Sequence, residues 1–437
     1  MSATLAGICG IIAFLILLAL KMPIAVSMTL VGFAGVTYLV SVGAAYRVLS
    51  SEIYTTFSSY PLSVTPLFIL MGYFAFHAGI GNKLYSFAYK AIGRFHGGLA
   101  MASEVACAIF GAICGSSPAT TATIGSIAIP EMRRYKYSDS LAASSVAAGG
   151  GLGILIPPSV PLVIYGLITE HSISRLFLAS IVPGILLTFL YITAIWSMIK
   201  YNPSLGPAAS GPRPSFREIV IAFRGGLVEV IIVFVISIGG LFAGFFTPTE
   251  SGGIGAAGVL VVTLLKGDMK WKKFNLALRD TTRTTAMIMF LIAGATIFSR
   301  FITLSRLPFQ VADWVSSLPL PSYFVLFVIL AIYTFLGTFI DTIPLILITV
   351  PIFYPVAVDT LGRDPIWFGA MIAVIGALAV MTPPVGVNLF VAKGVAPDIP
   401  LEVILRGIWP FIIAAIICCM ILIVFPQIVT FLPDLML

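Results

Sequence analysis

The chain has 437 residues, of which 59% are hydrophobic and only 9% charged, with a formal net charge of +7. Soluble domains carry roughly 25% charged residues, so this sequence cannot cover a surface in water and reads as an all-α integral membrane protein. The positive balance does not point to nucleic acid, because the basic residues lie between the apolar runs.

The runs at 11–20 and 411–425 are continuously apolar, where the strands of a membrane barrel would alternate. Windows of about 20 apolar residues place spans near 2–20, 22–42, 61–81, 141–169 and 176–199. A second set falls near 226–246, 249–265, 284–303, 366–393 and 407–431. No basic residue precedes the first run, which argues for a span that stays rather than a cleaved signal. The cysteines (Cys9, Cys107, Cys114, Cys418, Cys419) sit in apolar stretches without ligand spacing and read as small fillers.

Between the two sets lies KYNPSLGPAASGPRPSFRE (200–218), rich in Pro, Gly and Ser. It divides the chain into a first half (1–199), a cytoplasmic linker (200–225) and a second half (226–437). The halves match at a constant offset of 226 residues: Gly111 falls on Gly337, Pro118 on Pro344, Thr123 on Thr349, Gly150 on Gly376, and Pro157-Pro158 on Pro383-Pro384. Charge relates them. Loop 81–95 carries Lys83, Lys90 and Arg94, while its counterpart 303–320 has only Arg306 and Asp313; loop 43–60 is balanced, while 266–283 is strongly basic. Basic loops face the cytoplasm, so matched loops lie on opposite sides, which is an inverted-topology repeat of about ten spans.

The segment 97–131 runs from one basic loop to another and is too short for two full spans and a turn. It reads as a re-entrant hairpin turning at Gly115-Ser116-Ser117-Pro118, and 321–354 repeats the pattern with Gly337 to Pro344 at its tip. Each hairpin is followed by a span interrupted by Pro-Pro, giving broken helices over 141–169 and 366–393. Such breaks free backbone carbonyls. Set beside a tip, they gather oxygens with Ser116, Ser117 and Thr120 in one half, and with Asp341, Thr342 and Thr382 in the other. An oxygen-only set suits a hard monovalent cation such as Na⁺. The alternative is that these hydroxyls bond back to their own helices.

A Mg²⁺ or Ca²⁺ site would want more carboxylates, and an embedded hydrolase would want an acid–base pair at depth. The histidines His77, His96 and His171 are far apart and read as interfacial. Glu104, in the first hairpin arm, attracts suspicion of function because charge at such depth is costly. Glu250, in FTPTES, reads as a helix-capping carboxylate or as a functional one.

The stretches GSSPATTATIGSIAIPEM (115–132), ILIPPS (154–159), GGLFAGFFTPTESG (239–252) and MTPPVGVNLFVAKGVA (381–396) resemble the signatures of the large, DctM-like membrane subunit of tripartite ATP-independent periplasmic (TRAP) transporters. The resemblance covers essentially the whole chain. It implies an elevator-type fold, in which a domain holding both hairpins moves against a scaffold. It implies no cofactor beyond Na⁺ as coupling ion and a bacterial inner-membrane location. It also implies an organic-acid substrate (a dicarboxylate, keto acid or sialic acid) and two partners: a periplasmic binding protein and a small four-span membrane subunit on a separate polypeptide.

Carried onto this sequence, the resemblance puts one sodium site at Ser116 and Ser117 with the break at Gly150, Gly153 and Pro157. The second falls at Asp341 and Thr342 with Gly376, Val380 and Thr382. The substrate would lie near Thr120, Pro158, Pro384 and Asn388. Pro118 stands where many relatives have an apolar residue, which bears on the tip carbonyls. A stand-alone Na⁺–dicarboxylate symporter is the nearest alternative; a channel would need a continuous polar lining, which this sequence lacks.

Overall fold

A computed structural model describes residues 2–93, 95–207, 215–224, 227–317 and 321–436. Every regular element among them is helical. Helices α1 (Ala3–Ala19) and α2 (Ile24–Leu39) are the first apolar pair, α1 opened by Ser2, whose hydroxyl accepts from the Leu5 amide. Next come α3 (Val42–Ser58), α4 (Val64–Ala78) and α5 (Ile80–Ile92). Gly79, at φ +82°, separates α4 from α5, a conformation that costs glycine nothing.

The first hairpin is α6 (Gly98–Cys114) and α7 (Ser117–Arg134). The first broken span is α8 (Asp139–Gly150), a short 3₁₀ turn, and α9 (Val160–Thr169) beyond Pro157-Pro158. A long α10 (Ile173–Tyr201) closes the half. The second half opens with α11 (Phe216–Arg224), α12 (Leu227–Phe234) and, after a π-helical turn, α13 (Gly240–Phe242). Then follow α14 (Pro248–Leu265), α15 (Trp271–Leu304) and α16 (Leu307–Ser317). The second hairpin is α17 (Ser322–Gly337) with α18 (Thr342–Tyr354), and the second broken span is α19 (Pro365–Ala379) with α20 (Val387–Val395). Helices α21 (Leu401–Val424) and α22 (Gln427–Met436) end the chain.

Six helices among the described residues are long and apolar enough to cross a bilayer: 61–78, 173–201, 248–265, 271–304, 342–360 and 401–424. Shorter apolar helices accompany them, including α1, α2 and α17. The chain is a multi-pass membrane protein.

Four stretches expected as loops are helical. Residues 43–60 form α3, 81–95 mostly α5, 266–283 the first turns of α15, and 303–320 mostly α16. A window that scores only apolar runs misses them because they are amphipathic. In α5, Ile80, Leu84, Tyr85 and Ala88 are buried on one face, while Asn82 and Lys83 lie on the other. The linker is likewise partly helical, since α10 runs to Tyr201 and α11 occupies 216–224. Residues 208–214, and Arg94 of the basic loop, lie outside the described residues.

The helices pack in two groups. One holds α1, α2, α4, α14 and α15; the other holds both hairpins with α8, α10, α19, α20 and α21. The groups meet where α4 touches α6 and α9, and where α15 touches α18.

Candidate functional site

Gly115, at φ +62°, lets the chain reverse between α6 and α7. A Cβ there would stand 2.7 Å from the Pro158 carbonyl, so the tip lies directly on the first Pro-Pro break. The next contact is as close. A Cβ on Gly153 would be 2.6 Å from Thr120 Oγ1 and 2.9 Å from the Ser116 carbonyl. In the second half, a Cβ on Gly376 would meet Thr342 Cγ2 at 2.7 Å and Oγ1 at 3.1 Å. Each tip therefore rests on the broken span of its own half, through glycines that leave room for backbone and hydroxyl groups.

The two tips share one cavity of about 230 Å³, to which Ser116 and Ser117 contribute from one side and Asp341 and Thr342 from the other. Ser116 begins α7 without capping it, so its hydroxyl is not committed to that helix end. Asp341 begins α18, and its Oδ1 accepts from the Thr342 amide at 2.8 Å. Thr342 Oγ1 is buried without a hydrogen-bond partner among the described residues, and it lies on this cavity. The oxygens present suit a hard cation, and no group of three or more His, Cys, Asp or Glu among the described residues could hold a transition metal.

None of the four residues expected around the substrate lines this cavity. Thr120 is buried and donates to its own helix at the Ser116 carbonyl, 2.8 Å away. Pro158 is buried under Gly115. Pro384, with Thr382, Pro383 and Thr338, borders a different, largely apolar cavity of about 480 Å³ beside α17 and α21. Asn388 is 0% exposed, and both the oxygen and the nitrogen of its side chain are hydrogen-bonded. Its Oδ1 accepts from Ser117 Oγ at 2.8 Å, its Nδ2 donates to the Ala147 carbonyl at 2.9 Å, and its amide donates to the Val380 carbonyl at 2.9 Å. It ties the first tip to both broken spans. Val380 is thereby bound up with Asn388, while Thr382 Oγ1 donates to the Leu378 carbonyl. Gly150 is enclosed, because a Cβ there would fall 1.8 Å from Thr121 Oγ1. Pro157 is buried in the first break.

Sequence reasoning missed Tyr73 and Thr284, which line the cavity from α4 and α15. Neither sits in a distinctive motif, and only folding brings them opposite the tips.

Glu104 is 0% exposed and neither carboxyl oxygen has a partner; Gly149 of the first broken span lies against it. Glu250 is a capping residue: its Oε2 accepts from the Thr247 amide at 2.8 Å, and its own amide donates to Thr247 Oγ1 at 3.3 Å. His77 pairs with Asp280 and His171 with Tyr354, each at 2.8 Å. At the far end of the hairpin, Arg133 makes a two-pronged contact with Asp139 (2.7 and 3.0 Å) and also holds Asp398. That guanidinium keeps the Asp398 carboxyl below the usual carboxylate range.

The family model for the tripartite ATP-independent periplasmic transporter, DctM component, matches residues 11–428. A C4-dicarboxylate TRAP transporter large permease of Pseudomonas aeruginosa is 37% identical over 390 residues, covering 89% of this chain and 88% of that one. A sialic acid TRAP transporter large permease of Vibrio cholerae is 32% identical over 429 residues, 98% of each chain. Among solved structures, the Alcanivorax borkumensis YdaH transporter shares the fold, with TM-score 0.60 over 88% of this chain and 89% of that one at 13% identity. With paired tips on one cavity and a family match over nearly its full length, this chain belongs to the family of large DctM components of tripartite ATP-independent periplasmic transporters.

Proposed function

We propose that the chain is the permease of a Na⁺-driven uptake system for a small organic acid, acting in the bacterial inner membrane. The observation that carries this reading is the convergence of Ser116, Ser117, Asp341 and Thr342 on one cavity, with Thr342 Oγ1 buried and unpaired. One Na⁺ binds at the first tip against Gly150–Pro157, and a second at the other tip against Gly376–Thr382. The substrate lies in the cavity between them, and the two cations offset its negative charge, which lowers the cost of carrying it through an apolar interior.

The cavity, at about 230 Å³, is below the roughly 300–1,000 Å³ typical of drug-sized ligands. It suits an acid of the C4-dicarboxylate type better than a sialic acid. The two halves are related as an inverted repeat, and the group of helices carrying both hairpins moves as an elevator against the group formed by α1, α2, α4, α14 and α15. A periplasmic binding protein delivers the substrate, and a small four-span membrane subunit completes the complex.

Uptake of labelled organic acids into proteoliposomes holding this chain and its small membrane partner tests the reading. Uptake that needs both an inward Na⁺ gradient and the binding protein is expected. Na⁺-driven uptake without the binding protein would make the chain a stand-alone symporter, and indifference to Na⁺ would overturn the ion sites.

A further inference from the structure

The cavity has two walls of different origin. Its tip wall comes from α6, α7, α9 and α18; the opposite wall comes from α4 and α15. Ile69, Met287 and Ile288 make that second wall apolar, except where the Tyr73 phenol and the Thr284 hydroxyl meet at 2.9 Å. Of the two hydroxyl protons one lies in that bond, and the other is left to donate to a third group.

The pair is held in place. One turn along both helices, His77 Nε2 and Asp280 Oδ2 meet at 2.8 Å, which keeps α4 and α15 in register. Beside Tyr73, Gly72 brings the α4 backbone against the first hairpin: a Cβ there would stand 2.8 Å from the Cys114 carbonyl oxygen. The hydroxyl pair therefore faces the tips from a rigid support.

No basic side chain lines the cavity, and its one carboxylate is Asp341. An anionic substrate there is met only by neutral donors and by cations bound with it. A neutral donor opposite the tips reads whichever end of the substrate the tips do not hold. Position along the membrane also matters. From Tyr73 and Thr284, both helices run toward the basic residues Lys83, Lys90, Arg279, Lys272 and Lys273, which mark the cytoplasmic side. The tips stand opposite the pair in this conformer.

We propose that Tyr73 and Thr284 form a scaffold-side recognition group for the distal carboxylate or carbonyl oxygen of a small organic diacid, engaged only while the tips stand opposite them as they do in this conformer. This rests on the elevator reading given above. Because α4 and α15 stay while the tips travel, the hydrogen bond is made in this conformer and absent in the one that opens to the opposite face. The pair then sets affinity on one side of the membrane, and favours acids with an oxygen function at both ends over monocarboxylates.

Transport measured from each face, in right-side-out and inside-out vesicles containing the full membrane complex with the binding protein supplied at the periplasmic face, tests this with Tyr73→Phe and Thr284→Val. Each variant is expected to raise the diacid KM at one face only, by about tenfold, the effect of losing one hydrogen bond to a charged group. The KM at the opposite face and the Na⁺ concentration for half-maximal transport stay unchanged, and Thr284→Ser restores the wild-type value. Equal shifts at both faces, or none in variants whose melting matches wild type, overturn the proposal while leaving Na⁺-coupled uptake intact. Wild-type complex that shows no Na⁺-driven transport of any acid overturns the functional reading itself and this inference with it.

Discussion

Ser117 Oγ donates a 2.8 Å hydrogen bond to Asn388 Oδ1 across 271 residues of sequence, joining the first hairpin tip to the second broken span. Asn388 in turn reaches the first broken span through the Ala147 carbonyl. One amide side chain thus locks three discontinuities together. Asn388→Ala leaves the Ser117 hydroxyl and the Ala147 carbonyl buried without partners, which costs about 1–3 kcal/mol for each unsatisfied group. A lower melting temperature in detergent and weaker uptake are expected; melting equal to wild type would show that the tie is dispensable.

The sodium assignment makes a separable claim. Ser117→Ala combined with Thr342→Ala removes one hydroxyl from each tip, both on the shared cavity. The Na⁺ concentration for half-maximal uptake should rise. Unchanged sodium dependence in well-expressed protein sinks the assignment.

Gly150 tests how tightly the first break is packed. An added Cβ would lie 1.8 Å from Thr121 Oγ1 and 3.0 Å from Asn388 Nδ2. Gly150→Ala is expected to destabilise the protein by about 1–3 kcal/mol, as overpacking does. Thr121→Ala alone should be mild, since that hydroxyl only bonds back to the Ser117 carbonyl at 3.1 Å. In combination it should recover part of the loss, because the hydroxyl is gone while the Thr121 Cβ remains at 3.0 Å. Thermal melting of the four proteins in the double-mutant cycle decides the point; strictly additive losses would mean the two residues do not touch.

The ion cluster at the end of α7 sets a pH dependence. Arg133 holds the Asp398 carboxyl below its usual value of 3.8. A group whose folded value is depressed contributes stability above the unfolded value and loses it as pH falls through the folded one. The melting difference between wild type and Asp398→Asn should be flat from about pH 7 to about pH 5, and close only below the usual carboxylate range. A difference that vanishes near neutrality would show that Asp398 is not held by Arg133.

Much of the fold was legible because the signals are local. Gly115 and Pro118 in one tip, Asp341 and Pro344 in the other, and the two Pro-Pro pairs interrupt helices through their own backbone chemistry, whatever surrounds them. The amphipathic helices were harder to see. In α3, α5 and α16, charge and apolarity alternate around a helix rather than along it, so a linear window reads loop where a helix lies against its neighbours. Asn388 shows the limit for sites: a lone amide beside a break is equally suited to a substrate or to a staple, and only its three partners decide between them.

The sequence by itself determined that this is a helical membrane protein with two matched hairpins, two matched breaks and oxygen-bearing tips. Composition chooses the solvent, and proline and glycine act on the residues beside them. Tertiary structure alone decided that both tips open onto one cavity, that Thr342 Oγ1 lacks a partner there, and that Tyr73 and Thr284 form the facing wall. Those facts depend on side chains about two hundred residues apart being brought together, as Tyr73 and Thr284 are, and no local preference encodes such a meeting; packing of the two helix groups does.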